Sequence, residues 1–166
     1  SGGSIQFDGR RMGSPGARDS QLGHRIAYVP QEPLSNLDPS FTIGHQLIEP
    51  MRKVLGLSAP DARARAVELL GQVDIRDPQR VMRSYPHQVS GGMAQRILIA
   101  GAVSCEPALI VADEPTTALD VTVQAGILQL LRRLRDERGL SIVIVTHNFG
   151  VVADLCERDA VMSAGR

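Results

Sequence analysis

The stretch ALIVADEP, residues 108–115, is the part of the chain that decides the fold. It is a compact apolar run of strand length that ends in two adjacent carboxylates, Asp113 and Glu114. A continuous apolar run, rather than an alternating one, is typical of a strand that is buried on both faces in a parallel sheet. We therefore predict a parallel strand here, with the two acids at its carboxyl end.

A second apolar run, LSIVIVTH at residues 140–147, repeats the arrangement and carries Thr146 and His147 to the end of another buried strand. Residues 121–139, VTVQAGILQLLRRLRDERG, form an amphipathic helical pattern with Gly139 at its carboxyl end. Strand, helix and strand in this order predict a parallel α/β sheet with right-handed crossovers. Beyond it we expect a helix in NFGVVADLC and a last strand and turn in RDAVMSAGR.

The carboxyl ends of these strands bear the first candidate catalytic residues. Because ligands in open parallel sheets bind at that edge, we expect Asp113, Glu114 and His147 to lie around one crevice. Adjacent carboxylates suit a magnesium–nucleotide site, where one holds the metal and the next reaches the attacking water. Two plainer interpretations stay open from the residues alone: solvated acids at a strand end, and a histidine bonded to a nearby carbonyl.

Upstream, the chain is predicted to begin with short strands. Residues 5–7 form one that ends in the Asp8–Gly9 turn, and RIAYVPQ forms another that Pro30 stops. Four prolines between residues 32 and 60 predict short helices separated by turns. Pro60 and Asp61 then open a longer helix.

Residues 34–105 show no strand pattern, which predicts a helical subdomain inserted into the sheet. We therefore expect three parts. Residues 1–33 belong to the α/β core, residues 34–105 form the helical subdomain, and residues 106–166 form the catalytic part of the core.

The helix at the end of this subdomain has an unusual start, VSGGMAQR at residues 89–96. Glycine costs about 1 kcal/mol in a helix interior, so Gly91 and Gly92 need another reason to be there. A helix start carries unpaired N–H groups and a partial positive charge. Ser90 can cap it, and the glycines remove the Cβ atoms that would keep a phosphate away, which predicts an anion site. A serine cap followed by flexible glycines is the simpler alternative.

Composition excludes some classes of protein. The 166 residues suit one ordinary domain, with 43% hydrophobic and 22% charged residues. Eighteen basic and eighteen acidic residues cancel, so the chain lacks the basic field of a nucleic-acid binder. Cys105 and Cys156 have no metal-binding spacing. Since no run reaches the roughly 18 apolar residues of a membrane span and no signal peptide is evident, we expect a soluble protein, and docking on a membrane protein stays open.

In chain order, these segments resemble the ATP-binding cassette (ABC) ATPase family, and the resemblance covers nearly the whole chain. Gln31 resembles the Q-loop glutamine, VSGGMAQR with its Gln95 the signature motif, and ALIVADEP the Walker B motif. TALD, residues 117–120, resembles the D-loop, and His147 the switch histidine. Two segments are similar to those of the subfamily that powers oligopeptide, dipeptide and nickel importers. They are QEPLSNLDPSFTIGHQLIEPM and DEPTTALDVTVQ. Ala94 departs from that subfamily, which usually has a basic residue there.

The resemblance implies a P-loop NTPase core of the ABC type, with ATP and Mg²⁺ as cofactors. Asp113 and Gln31 would hold the metal, Glu114 would act as general base, and His147 would bond the γ-phosphate; Gln31 would also contact the attacking water. Four further candidates would serve a nucleotide carried by a facing cassette in a head-to-tail homodimer or heterodimer: Ser90, Gly91, Gly92 and Gln95. Asp120, also placed at the nucleotide, would communicate across that dimer.

The same resemblance implies the partners of the protein and its location in the cell. The partners would be a transmembrane permease and, indirectly, a substrate-binding protein; no nucleic-acid partner is expected. The ATPase would lie on the cytoplasmic face of the membrane. Two alternatives are a non-enzymatic module derived from a cassette, and a DNA-repair or chromosome ATPase. The latter is disfavoured by the zero net charge and by the absence of sustained heptads between Gln31 and Ser90.

One expected motif is missing. No GxxxxGK[ST] phosphate loop occurs, and the only lysine, Lys53, has no glycine-rich loop before it. The aromatic residue that stacks on adenine in the family is missing as well. We therefore expect this chain to be an internal piece of a longer ATPase, and to bind ATP poorly alone.

Overall fold

The computed structural model describes residues 4–12, 21–117 and 119–163. In chain order the elements are β1 Gln6–Phe7, β2 Arg10–Arg11, β3 Ile26–Val29, α1 Ile43–Leu55, α2 Ala59–Gln72, α3 Pro78–Arg83, a 3₁₀ turn at Pro86–Gln88, α4 Gly91–Ser104, β4 Leu109–Asp113, α5 Val121–Arg138, β5 Ser141–Val145 and α6 Phe149–Leu155. The fold is a parallel sheet with flanking helices, and so the predicted α/β class is confirmed.

The sheet that positions the site has three parallel strands in the order β3–β4–β5. Ala112 in the central strand β4 lies opposite Val29 of β3 and Ile144 of β5. This register brings the carboxyl ends of all three strands to one edge, as the two apolar runs predicted. Ile110 and Ala112 are fully buried, so β4 forms the centre of the packing.

The short strands β1 and β2 form a separate antiparallel hairpin. Its turn uses Asp8 and Gly9, both with positive φ, at 51° and 72°. Asp and Gly are residues that adopt this left-handed backbone at low cost. The turn predicted from these two residues is therefore confirmed.

Four α-helices and the 3₁₀ turn make up residues 34–105, all of which the structure describes. Each of the long helices begins at a side-chain cap, such as Thr42 for α1, Ser58 for α2 and Ser90 for α4. One continuous apolar cluster joins these helices to the strands and to α5. The helical content is confirmed, and the division of the chain into three parts stays a prediction.

The expectation of only short helices before residue 60 is wrong, because α1 runs for 13 residues through Pro50. Proline in a helix interior costs about 3 kcal/mol. The stripe formed by Ile43, Leu47 and Met51 is 0%, 3% and 0% exposed, and each such side chain gains about 1.5–3 kcal/mol on burial. Burial of this stripe therefore outweighs the proline. Between α2 and α4 the chain also forms the short helix α3.

Two predictions about the carboxyl-terminal strands are wrong. β5 is only half covered: Val143 and Val145 are 49% and 52% exposed and alternate with the half-buried Ile142 and Ile144, so the described residues cover one face of β5 and leave the other open. The last strand is not formed in residues 158–163, where Val161 and Met162 are strongly exposed and no described strand pairs with them. Residues 164–166 lie outside the described residues.

Candidate functional site

Glu114 occupies the first position after β4 and has a left-handed backbone, with φ of 45°. Its N–H donates to the carbonyl oxygen of Val145 at 2.8 Å, which holds the turn against the end of β5. Such a backbone costs a non-glycine residue about 1–3 kcal/mol and is concentrated at functional sites. The strain here turns the carboxylate toward the residues that follow β5.

Both oxygens of the Glu114 carboxylate are engaged. Oε1 lies 2.6 Å from Nδ1 of His147 and accepts from the His147 backbone N–H at 2.9 Å. Oε2 accepts from the hydroxyls of Thr117 at 2.8 Å and Thr146 at 3.3 Å. The expectation that Glu114 and His147 share one edge is confirmed by this direct contact.

These contacts decide the charge of Glu114. Partial burial raises the pKa of the carboxyl and is the largest single influence. Hydrogen bonds from the His147 ring, the Thr117 hydroxyl and the His147 backbone N–H lower it, and together they outweigh burial. The net pKa of Glu114 is therefore below its ordinary value, and the group is an ionised acceptor at neutral pH.

His147 connects this acid to α6. Its side chain is 81% exposed, so the ring can leave Glu114 without opening the core. The next residue, Asn148, caps α6 through its side chain and donates its own N–H to Thr146 Oγ1 at 3.1 Å. At the other end of α6, two arginines of α5 hold the chain. Arg132 pairs with Asp154 at 2.7 Å, and Arg135 donates to the carbonyl oxygen of Leu155 at 3.1 Å.

Asp113 is the last residue of β4 and has a partner that the sequence analysis missed. The hydroxyl of Tyr28 in β3 donates to Asp113 Oδ2 at 3.0 Å. That hydrogen bond raises the pKa of Tyr28, and burial and the negative charge of Asp113 raise it further. Gln31 is exposed and lies two residues beyond the end of β3, at the same edge of the sheet as Asp113.

A second group of candidates lies where α4 and α5 begin. Ser90 Oγ accepts from the N–H of Met93 at 3.3 Å, and Asp120 Oδ1 accepts from the N–H of Val123 at 3.0 Å. A Cβ placed on Gly92 would be 2.9 Å from Val123 Cγ1, so the two helix starts are in contact. The predicted D-loop, residues 117–120, therefore lies beside the SGG turn; Ala118 within it is outside the described residues.

The two glycines of the SGG turn have different surroundings. A Cβ on Gly91 would meet no described atom within 4 Å, whereas one on Gly92 would collide with α5. Close helix packing thus explains Gly92 within this chain. Packing against the described residues does not explain Gly91, which leaves its backbone open to an outside ligand.

Two further residues have positions that bear on the predictions. Gln95 is 1% exposed, and its Nε2 has no hydrogen-bond partner among the described residues. A nucleotide arriving at the surface would therefore not reach the Gln95 side chain in this conformation. Lys53 is an exposed residue in α1 that pairs with Glu49 at 3.6 Å. It stands in a helix and does not follow a phosphate-binding loop.

Similarity to known proteins agrees with this geometry. Residues 1–117 match the ABC transporter family. The chain belongs to that family. The predicted resemblance to the ABC ATP-binding proteins of peptide importers is confirmed by the curated relatives of this ABC chain. It is 46% identical over 167 residues to a putative peptide import ATP-binding protein of Brucella abortus (strain 2308), a match that covers 99% of the chain and 50% of the relative.

Other relatives give the same result. The chain is 50% identical over 143 residues to the glutathione import ATP-binding protein GsiA of Salmonella paratyphi A, a match that covers 86% of the chain and 23% of GsiA. The solved dimeric structure of MJ0796, a bacterial ABC transporter cassette, aligns with a TM-score of 0.80 and 30% identity, over 93% of this chain and 66% of that one. A post-hydrolysis dimer of the same cassette, bound to ADP and Pi, aligns with a TM-score of 0.77 and 31% identity, over the same shares of both chains.

The ABC chain described here spans about half the length of the first of these curated relatives. Within residues 4–12, 21–117 and 119–163, no helix is long and apolar enough to span a bilayer. In the same residues, no three histidine, cysteine or acidic side chains are grouped as ligands of one metal ion.

Sequence reasoning missed the contacts that Tyr28 and Val123 make at the site, and it placed Thr117 in the D-loop without its hydrogen bond to Glu114. Thr117 follows Glu114 by three residues in a turn, a spacing that could have been noticed. Tyr28 and Val123 come from other elements, and their contacts depend on the strand register and the helix packing, which one sequence does not specify.

Proposed function

We propose that this chain is part of the ATP-binding subunit of a peptide importer, and that the whole protein hydrolyses ATP to drive uptake. The observation that carries the proposal is the pairing of Glu114 with His147 across the ends of β4 and β5, with Asp113 beside them. The names of the relatives support the peptide class of cargo.

Glu114 supplies the base in this proposal. Its lowered pKa keeps it ionised, and a carboxylate can accept a proton from an attacking water and orient that water. In the structure both of its oxygens already accept hydrogen bonds, so one donor must leave before water can bind. The His147 ring is the most exposed of these donors and is therefore the one that moves.

His147 then changes partner. Because an ionised carboxylate has no proton to donate, Nδ1 carries the proton of the present hydrogen bond. An arriving phosphate offers a second anion to the same exposed ring. Transfer of the ring from Glu114 to the phosphate would free Oε1 for water and fix the phosphate in one step.

The donor set at this edge fits Mg²⁺. Magnesium prefers oxygen ligands and usually takes one or two carboxylates together with substrate phosphates. Asp113 has one oxygen engaged by Tyr28, and its carboxylate is at the strand end where a nucleotide would bind. Asp113, with the side-chain oxygen of Gln31, would hold the ion, which would neutralise charge on the phosphates when bound.

We further propose that Ser90 and Gly91 meet the nucleotide of a facing cassette. The open backbone of Gly91 and the capped start of α4 suit a terminal phosphate. Contact between Gly92 and Val123 would couple this turn to Asp120, which would sense the same partner. The dimeric state of the two similar solved cassettes supports this arrangement. Gln31 and the helical subdomain would transmit the state of the nucleotide site to a permease, on the inner face of the membrane.

The test is Glu114→Gln in the protein at its full natural length. Loss of a general base lowers rates by about 10²–10⁴, so hydrolysis should fall at least 100-fold while ATP binding and an ATP-held dimer persist. Glu137→Gln is the matched control, because Glu137 is exposed on α5 and makes no ion pair with a described residue. Undiminished turnover in the Glu114 variant would refute the proposal.

A further inference from the structure

Tyr28 reaches the site because of the strand register. Tyr28 in β3 lies opposite Val111 in β4. Neighbours in a parallel sheet share a face, and so do residues two apart in one strand. Tyr28, Val111 and Asp113 therefore lie on the same face, and the length of the phenol spans the remaining distance to Asp113 Oδ2, at 3.0 Å.

The two carboxylates of the site are held very differently. Glu114 is fixed by four hydrogen-bond contacts with its oxygens. In the part of the chain that the structure describes, the side chain of Asp113 accepts a hydrogen bond from Tyr28 alone. The rotation of the Asp113 carboxylate therefore depends on one hydroxyl.

Packing does not account for Tyr28. Its side chain is 55% exposed, and it is not among the residues that form the apolar core. The next residue, Val29, is fully buried and anchors β3 without it. The specific contact that Tyr28 makes in the described structure is the one through its hydroxyl.

We propose that Tyr28 is a positioning residue for Asp113. Its hydroxyl holds Oδ2, which would leave Oδ1 available to the divalent cation that accompanies the nucleotide. The inference rests on the proposed function, because it assumes that Asp113 receives such an ion. Groups that orient a metal-binding carboxylate typically change metal affinity by about 10–100-fold when removed.

The experiment uses Tyr28→Phe in the full-length protein, which keeps the ring and removes only the hydroxyl. Binding of a non-hydrolysable ATP analogue is measured during a Mg²⁺ titration and again in EDTA. The Mg²⁺ concentration for half-maximal binding should rise about 10-fold, and the affinity in EDTA should not change. Tyr85→Phe, at the other tyrosine of the chain, is the control and should change neither value.

The results separate the two proposals. Equal Mg²⁺ dependence in Tyr28→Phe and wild type would overturn the role of Tyr28, and so would an equal loss of binding with and without Mg²⁺. In an Asp113→Asn background, Tyr28→Phe should not change the Mg²⁺ dependence further, because Tyr28 acts through the Asp113 carboxylate. A full additional loss of Mg²⁺-dependent binding in that background would also overturn the role of Tyr28. A wild-type protein with no Mg²⁺-dependent nucleotide binding would instead defeat the proposed function, and this inference with it.

Discussion

Gly92→Ala tests the contact between the starts of α4 and α5. The new Cβ would lie 2.9 Å from Val123 Cγ1, whereas its distances to Val123 Cγ2 and Cβ, 3.7 and 3.9 Å, are ordinary. Carbon atoms prefer about 3.5–4.0 Å, so one of the helices must move by about 0.6 Å. Overpacking of this kind costs about 1–3 kcal/mol, and the helix propensity of alanine returns at most about 1 kcal/mol.

We therefore expect Gly92→Ala to lower the free energy of unfolding by about 1 kcal/mol. Gly91→Ala is the matched control, since its Cβ would touch no described atom. It should be neutral or stabilise by up to about 1 kcal/mol. Urea unfolding of the full-length variants, followed by circular dichroism, measures both values.

A double-mutant cycle completes the test. Val123→Ala removes the atom that collides, so Gly92→Ala in that background should lose its steric cost, with a coupling energy of at least about 1 kcal/mol. If Gly92→Ala were as stable as Gly91→Ala, or if Val123→Ala left their difference unchanged, the two helix starts would not be in contact. Comparison of Gly91→Ala with Gly92→Ala also separates stability from function, because Gly91→Ala should fold well and yet impair ATP hydrolysis.

Three further predictions concern the pH dependence set by Glu114, the buried amides of Gln95 and Gln124, and the helix cap at Asp120. The lowered pKa of Glu114 means that its stabilising contribution is complete above its ordinary value of 4.5 and is lost as the pH falls through the folded-state pKa. The stability difference between wild type and Glu114→Gln should therefore shrink as the pH falls below 4.5, and a constant difference would contradict this. Gln95→Met should raise the free energy of unfolding by about 1 kcal/mol, because it removes a buried amide nitrogen that has no hydrogen-bond partner among the described residues. Gln124→Met should lower that energy, because the Gln124 amide donates to the carbonyl oxygen of Leu119 at 2.9 Å; equal signs for these two variants in urea unfolding would contradict the reasoning. Asp120→Ala should cost about 1 kcal/mol through loss of the α5 cap, and Asp120→Ser should restore most of it; equal thermal midpoints of Asp120→Ala and wild type would argue against the cap.

Local signals in the sequence predicted much of this fold. The apolar run ending at Asp113, the Asp8–Gly9 turn and the serine before Gly91 each specify a local structure by their own chemistry, and each was found. The edge of the sheet shared by Glu114 and His147 followed from the rule that parallel strand ends converge.

What could not be predicted depends on distant partners. The helix through Pro50 survives because three side chains of its stripe are buried by other helices, and local propensity does not include that burial. β5 reads as a buried strand, but Val143 and Val145 are exposed because coverage depends on which elements lie nearby. The bond from Tyr28 to Asp113 joins residues 85 apart in the chain, and only the register of β3 against β4 creates it.

The short helix α6 is held at both ends by groups outside it. Glu114 holds His147, which precedes the cap residue Asn148, and Arg132 and Arg135 hold the carboxyl end of the helix. If Glu114 gives up the His147 ring, the hydrogen bond from the His147 backbone N–H to Glu114 Oε1 still connects this segment to the end of β4. Because Val151 and Leu155 keep α6 packed in the apolar core, release of the ring would change the rotamer of one exposed side chain and leave the helix where it is.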